Sequence, residues 1–308
     1  MSAFATSLPA GVTVLERGWL SSNNVVLVGP DDAAVVDSGY WTHSGQTVEL
    51  VERALAGRPL ATLVNTHLHS DHCGGNAALQ ERHPAVRTLA PPGLADAVRR
   101  WDPVALTYAP TGQECPRFTL DDVLRPGSAV VLGGKPWEVH AAPGHDPHSV
   151  ILFEPQTRTL VSADALWERG FGVVFPELEG EDAFGDVAAT LDVIERLRPR
   201  VVIPGHGNVF TGVEEALARA RSRLAAYVAD PRRHAVHAAK VLLKFKLLEL
   251  QQVRREDFLE WAQGTPYLQV VHERLHPGGD LPSWIASLVA DLEAAAALRS
   301  ANGQIFNA

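Results

Sequence analysis

His67-Leu68-His69-Ser70-Asp71-His72, followed by Cys73-Gly74-Gly75-Asn76, decides the reading of this chain, because it puts four residues able to ligate a metal within six positions. Residues two apart on an extended segment point to the same side, so His67 and His69 could grip one ion. The apolar run Ala61-Thr62-Leu63-Val64 just before them reads as a buried strand. Its carboxyl end then carries the histidines, where open α/β sheets place ligand sites. The chain must turn next, and Asp71 and His72 fall at the expected start of a helix from Asn76 to His83, facing a second ion beside the first. Gly74-Gly75 allows the close backbone approach that such a corner needs. A lone histidine is more often a satisfied core or surface residue. Three histidines and an aspartate at this spacing form a metal-site signature.

A site for two ions needs further ligands, and the rest of the sequence supplies them in matching places. Ala141-Ala142-Pro143-Gly144-His145 follows the strand-like Pro136 to His140, and its Pro-Gly turn presents His145 at a strand end. Thr159-Leu160-Val161-Ser162-Ala163-Asp164 is a short apolar strand ending in a carboxylate able to bridge two ions. Val201-Val202-Ile203-Pro204-Gly205-His206-Gly207 is another buried strand that delivers a histidine on a glycine-flanked turn. Each of these is weak alone, since a strand-end His or Asp is more often a capping or turn residue. Repetition of buried strand, turn and ligand carries the argument.

With these residues in place, the first two thirds of the chain resemble the metallo-β-lactamase superfamily of hydrolases, in the branch that contains the glyoxalase II-like enzymes. The resemblance implies that His67, His69 and His145 hold a first metal, that Asp71, His72 and His206 hold a second, and that Asp164 bridges both. It also matches Ala33-Ala34-Val35-Val36-Asp37-Ser38-Gly39 to an early strand ending in Asp-x-Gly. There Asp37 supports the metal loop without being a ligand, and such partners hold ligand orientation. The implied fold is α/β: a four-layer αββα sandwich over residues 1–212, with a helical C-terminal region over residues 213–308.

Composition is in keeping with this. The 308 residues are 46% hydrophobic and 20% charged, as in an ordinary globular protein large enough to bury a sizeable core. No run of 18 or more apolar residues occurs, so no membrane partner is expected. The start Met1-Ser2-Ala3-Phe4-Ala5-Thr6 lacks the basic and apolar regions of a signal peptide, which makes the cytoplasm the expected location. Two cysteines, Cys73 and Cys115, are too few for a disulfide framework, and Cys73 reads as a small residue lining the metal loop. A net charge of −9 argues against a surface built for nucleic acid.

Along the chain, strands are expected at Val12 to Leu15, Asn24 to Val28 and Ala33 to Asp37, then a helix from Gln46 to Ala56. Residues 102–126, rich in proline, read as an inserted loop or short irregular helices bordering the active site. Ser128 to Leu132 and Pro136 to Ala141 flank Gly133-Gly134, a hairpin signal. Val187, Leu191, Ile194 and Leu197 give Ala183 to Leu197 the spacing of an amphipathic helix. Beyond His206 the pattern is helical, at Glu214 to Ala229, Val236 to Val253, Arg255 to Ala262 and Ser283 to Ala296, with no clear strand. Val241 to Leu248 is apolar on most sides and reads as a core helix, with burial in a homodimer interface as the alternative.

The ligand set implies two divalent metal ions, zinc (Zn2+) first and iron or manganese as alternatives, since a His and Asp set without thiolate suits those too. Two cations sharing Asp164 would lower the pKa of a shared water from about 15.7 toward about 7. Asp71 is the catalytic candidate, orienting that nucleophile and passing a proton to the leaving group. The expected reaction is hydrolysis of a small-molecule carboxylic ester, thioester or lactone. Tyr40, Trp41, Trp167, Phe171 and the 102–126 loop are candidate pocket walls, and His148 an added polar group. Glutathione thioesters rank lower, because no cluster of basic and Tyr residues is evident after His206. The alternatives are a phosphodiesterase acting on nucleic acid or small molecules, supported by Lys240, Lys244, Lys246, Arg254 and Arg255; persulfide oxidation with iron; and a slow-turnover binding or regulatory protein on the same fold.

Overall fold

A computed structural model describes residues 8–308. Its first sheet has six strands in the order β1-β2-β3-β4-β5-β6: Val12–Leu15, Asn24–Val28, Ala33–Val36, Leu60–Val64, Arg87–Ala90 and Asp122–Val123. The second has five, in the order β11-β10-β9-β8-β7: Val201–Pro204, Thr159–Ala163, Val150–Glu154, Lys135–Ala141 and Ala129–Leu132. Side-chain alternation sorts each strand's residues between two layers. Val25 and Leu27 of β2, Val36 of β3 and Val64 of β4 turn inward against Trp137, Val139, Leu152, Val161 and Ile203 of the other sheet. Val26, Val35 and Leu63 turn outward under Val51 and Leu55 of the helix Ser44–Leu55. On the far side Ile151, Leu160 and Val202 pack under Val187, Leu191 and Ile194 of the helix Phe184–Leu197. These layers are the expected αββα sandwich.

Strand direction explains why the expected ligands converge. β3 and β4 are parallel, as are β10 and β11. β8 runs antiparallel to β9, which runs antiparallel to β10, so β8, β10 and β11 share a direction. Their carboxyl ends therefore release Asp37, His67, His145, Asp164 and His206 along one edge. The two sheets are stitched there by the Val150 amide donating to the Thr66 carbonyl at 2.9 Å.

Two sequence expectations need correction. Asp71 and His72 do not open the helix Asn76–Arg82; they sit on a separate single turn, Ser70–Cys73, ahead of it. The C-terminal region is mainly helical but also holds three strands, β12 (Gln252–Arg254), β13 (Leu298–Ala301) and β14 (Gln304–Asn307), in the order β12-β14-β13. The β13–β14 hairpin turns on Asn302-Gly303, with φ of 51° and 74°, the pair that type I′ turns favour. That signal is present in the sequence and outweighs the surrounding helical pattern. The helix Pro266–Leu275 is likewise additional.

The helices Pro231–Leu250, Arg255–Gly264, Pro266–Leu275 and Leu281–Ala294 enclose a core of their own, with Leu242, Leu243 and Leu247 at its centre. Val173 and Leu178, from the segment after β10, belong to that same core. His234 ties the helix to this segment, its Nε2 accepting from the Val174 amide at 3.1 Å. No described helix is long and apolar enough to cross a membrane.

Leu152 is fully buried between the sheets, so Leu152→Ala should destabilise the fold by about 2–5 kcal/mol in urea titration; a loss below 1 kcal/mol would contradict the packing. Burial, then His237 and Arg223, pulls His234 down to about 4 from its ordinary 6.5. The unfolded chain takes up this proton first, so His234 contributes stability above about pH 6.5 that is lost as pH falls toward 4. His234→Gln, which keeps an acceptor for Val174, should flatten that part of the stability profile.

Candidate metal centre

At the edge where these strands end, three groups of side chains place a ligand atom from each member within 4.8 Å of the others: His67, His69 and His145; His67, His72 and Asp164; and Asp71, His72 and His206. The seven residues expected from the sequence are thus brought together. Asp164 spans the cluster, with Oδ2 at 3.4 Å from His145 Nε2 and Oδ1 at 3.5 Å from His72 Nε2. A Cβ on residue 205 would lie 2.2 Å from Asp164 Oδ1, so only glycine fits before His206.

Four of the five imidazoles are fixed by a hydrogen bond on the outer nitrogen. His72 Nδ1 donates to Asp37 Oδ2 at 2.8 Å. Thr66 Oγ1 gives its proton to the same oxygen at 2.8 Å and can therefore accept from His67 Nδ1 at 3.1 Å. His145 Nδ1 donates to the Val173 carbonyl at 2.5 Å, and His206 Nδ1 to that of Gly18 at 3.1 Å. These bonds leave Nε2 of His67, His72, His145 and His206 turned inward. His69 is the exception and turns Nδ1 inward, 2.8 Å from His145 Nε2. Nε2 of His67 and of His72 are buried with no hydrogen-bond partner among the described residues. Buried polar atoms are rarely left so, and the lone pairs of this donor set fit a divalent cation.

The electrostatics divide the cluster in two. Burial, then His72, His69 and His145, pushes His67 well below the ordinary imidazole range. Burial, then His145, takes His69 to about 4. Both are neutral and offer lone pairs. His72 goes the other way: burial opposes its charge, but Asp37, Asp71 and Asp164 together hold it well above 6.5. Burial likewise opposes charge on His206, while Asp164 and Asp71 raise it. Against burial, His206 and His72 keep Asp164 well below the carboxylate range, and His72 and His206 keep Asp71 low. The acidic half of the cluster calls for positive charge, which a divalent cation supplies without protonating the ligands.

A cavity of about 550 Å³ opens on the cluster. Of the expected walls, Trp167 and Phe171 line it, as do Thr107, Thr111 and Gln113 from the 102–126 loop. Tyr40 and Trp41 do not: Tyr40 is fully buried with its hydroxyl on Glu249, and Trp41 lines a separate pocket. His148 packs against Gly93 outside the cavity. Cys73 is buried, with Sγ 3.1 Å from the Tyr108 hydroxyl, and belongs to none of the three ligand groups. The sequence reading missed Trp19, whose ring stacks on His206 at 5.5 Å, and Phe175, which packs edge-on to His69 at 4.9 Å. Neither has a spacing signal. Val241, Leu242 and Phe245 also reach the cavity, so the apolar helix serves both the C-terminal core and the pocket.

Several basic side chains proposed for nucleic acid are engaged elsewhere. Lys240 pairs with Asp291, Lys246 with Glu249 and Arg254 with Asp257. Lys244 donates to the Ala308 carbonyl and to Asn307 Oδ1.

The model of the family described as the Metallo-beta-lactamase superfamily matches residues 17–206, a span that contains the whole cluster. The chain belongs to this superfamily. It is a hydrolase, and proteins of this superfamily usually bind divalent metals. It is 28% identical to the Acyl-coenzyme A thioesterase MBLAC2 of Homo sapiens, over 64% of this chain and 78% of that one. It is 29% identical to a hydroxyacylglutathione hydrolase of Chromohalobacter salexigens, over 70% of this chain and 69% of that one. A beta-lactamase domain protein from Burkholderia ambifaria superposes with a TM-score of 0.61 at 22% identity, covering 90% of this chain and 95% of that one. A metallo-beta-lactamase family protein from Thermus thermophilus gives 0.58 at 18% identity, covering 98% of this chain and all of that one. These two likenesses establish the fold.

Asp37→Asn would set an amide against His72 Nδ1 and favour the wrong tautomer. Metal affinity measured by chelator competition should fall about 10–100-fold, and unchanged affinity would contradict the role of Asp37.

Proposed function

We propose that this superfamily hydrolase cleaves thioesters of small acyl groups, using two divalent cations. In this reading His67, His69 and His145 hold one, Asp71, His72 and His206 hold the other, and Asp164 bridges them. The observation that carries it is the inward-turned donor set at the floor of a cavity whose walls include Trp19, Trp167, Phe171, Phe175 and Phe245. An apolar pocket beside a cationic centre suits an acyl chain with one polar reacting carbon. The names of the two relatives, acyl-coenzyme A thioesterase and hydroxyacylglutathione hydrolase, support an acyl group carried on sulfur over a lactone or simple ester.

When bound, the cations supply Lewis acidity toward the acyl oxygen and toward water. The protein does the positioning. Trp19 stacked on His206, and Phe175 edge-on to His69 and His145, form apolar walls beside the imidazoles. Trp167 Nε1 donates to Asp164 Oδ1 at 3.2 Å and steadies its carboxylate. Asp71 faces the cavity with Oδ2 at 3.0 Å from His206 Nε2, placed to take a proton from the attacking water and return it to the departing sulfur. Water and thioester give carboxylic acid and thiol, with no protein nucleophile.

Elemental analysis of protein purified without chelator should find about two ions per chain, zinc or manganese, together with turnover of thioesters above aryl esters, lactones and phosphodiesters. Absence of metal would overturn the assignment, and phosphodiester turnover would replace the substrate class. Asp71→Asn should fold normally and lower kcat by about 10²–10⁴-fold. Asp164→Ala should lose both ions on dialysis, and retention of two ions with full activity would refute the bridge.

A further inference from the structure

The metal-site cavity shares a wall, made of Arg223 and His237, with a second cavity of about 580 Å³. Arg219 and Arg233 also line this second cavity, and no carboxylate does. On a chain of net charge −9 this is a local reversal of sign. The helix Val213–Ala229 shows the contrast within itself. Arg221 is paired with Asp192 and Glu195, whereas Arg219 and Arg223, each two residues away, have no carboxylate partner among the described residues.

The wall is built and held in place. The Arg223 guanidinium donates to the Tyr227 hydroxyl at 3.0 Å and to His237 Nε2 at 2.8 Å. It also lies over the Phe171 ring at 5.5 Å. A Cβ at residue 170 would come within 2.7 Å of its Nη1, so Gly170 leaves room for it. Burial, then Arg223, Lys240 and Arg233, brings His237 to about 4, which makes it a neutral acceptor for Arg223. Arg219 is anchored through Nε on the Glu168 carbonyl at 2.8 Å, leaving its terminal nitrogens to other partners. The linear sequence hid this cluster, since it joins residues of one helix to Arg233 and His237 of the next.

We infer that Arg219, Arg223 and Arg233 form a subsite for the phosphate groups of a phosphorylated thiol carrier of the coenzyme A class, whose acyl end lies at the metal cluster. Planar guanidinium forks match phosphate oxygens two at a time, and clustered arginines recognise phosphate where single lysines act only as point charges. The assignment rests on the thioesterase reading and names its carrier.

Kinetics of the metal-loaded protein on three esters of one acyl group, hexanoyl-coenzyme A, S-hexanoyl-pantetheine and S-hexanoyl-glutathione, test this. The coenzyme A ester should lead in kcat/KM through KM. Arg219→Ala/Arg233→Ala, at two exposed positions, should raise KM for that ester by about 10-fold per arginine. The same variant should leave kcat and the pantetheine ester within two-fold. Equal handling of the coenzyme A and pantetheine esters overturns the subsite, and preference for the glutathione ester assigns the arginines to carboxylates instead. Calorimetry with free coenzyme A and pantetheine separates the two readings. If no thioester is cleaved, the thioesterase reading falls, while tighter coenzyme A binding that the double variant abolishes still upholds the subsite, and its absence overturns it.

Discussion

The Asp37 carboxylate is the constraint on which the centre depends. It accepts from the Thr66 amide at 2.9 Å, from the Thr66 hydroxyl and from His72 Nδ1. One buried anion thus fixes where β4 ends, orients His67 through Thr66 and orients His72 directly. Asp37 sits at φ 58°, a left-handed conformation that costs most residues about 1–3 kcal/mol and that Asp tolerates better than most. Ala163, just before Asp164, has φ 45°. Both strained residues lie at the ends of strands that feed the cluster, and the paired strands on either side hold them there.

A second line of support runs outward from His145. Its Nδ1 donates to the Val173 carbonyl, and the next amide, that of Val174, donates to His234 of the helix Pro231–Leu250. The C-terminal helices are thus joined to a histidine of the centre through one peptide unit. They also contribute Val241, Leu242 and Phe245 to the cavity. Pocket shape and ligand orientation therefore share a support, and changes in the C-terminal core should reach the centre through Val173 and Val174.

Much of this was legible in the sequence because the signals are local. Buried strand, turn and ligand recur within a few residues of each other, so the strands and the ligands at their ends could be read locally, while the pairing of two sheets followed from the family resemblance. Asn302-Gly303 was equally local but lay inside a helical context that masked it. Trp19 and Phe175 were not legible, because they act through partners far away in the chain, and the arginines of the second cavity were not, because they are split between two successive helices. Trp19 meets His206 only because the Gly18 carbonyl and the Asn23 amide are drawn to His206 and Gly205. Tyr40 misled for the converse reason: an aromatic beside the Asp37 turn looked like a pocket wall, but its hydroxyl is committed to Glu249.

The central claim is that these seven side chains hold two cations bridged by Asp164. Anomalous diffraction from crystals of the metal-loaded protein, collected on either side of the absorption edge of the bound element, tests it most directly. The account predicts two peaks, one among His67, His69 and His145 and one among Asp71, His72 and His206, each contacted by an Asp164 oxygen. A single peak, or two with Asp164 turned away, would contradict it.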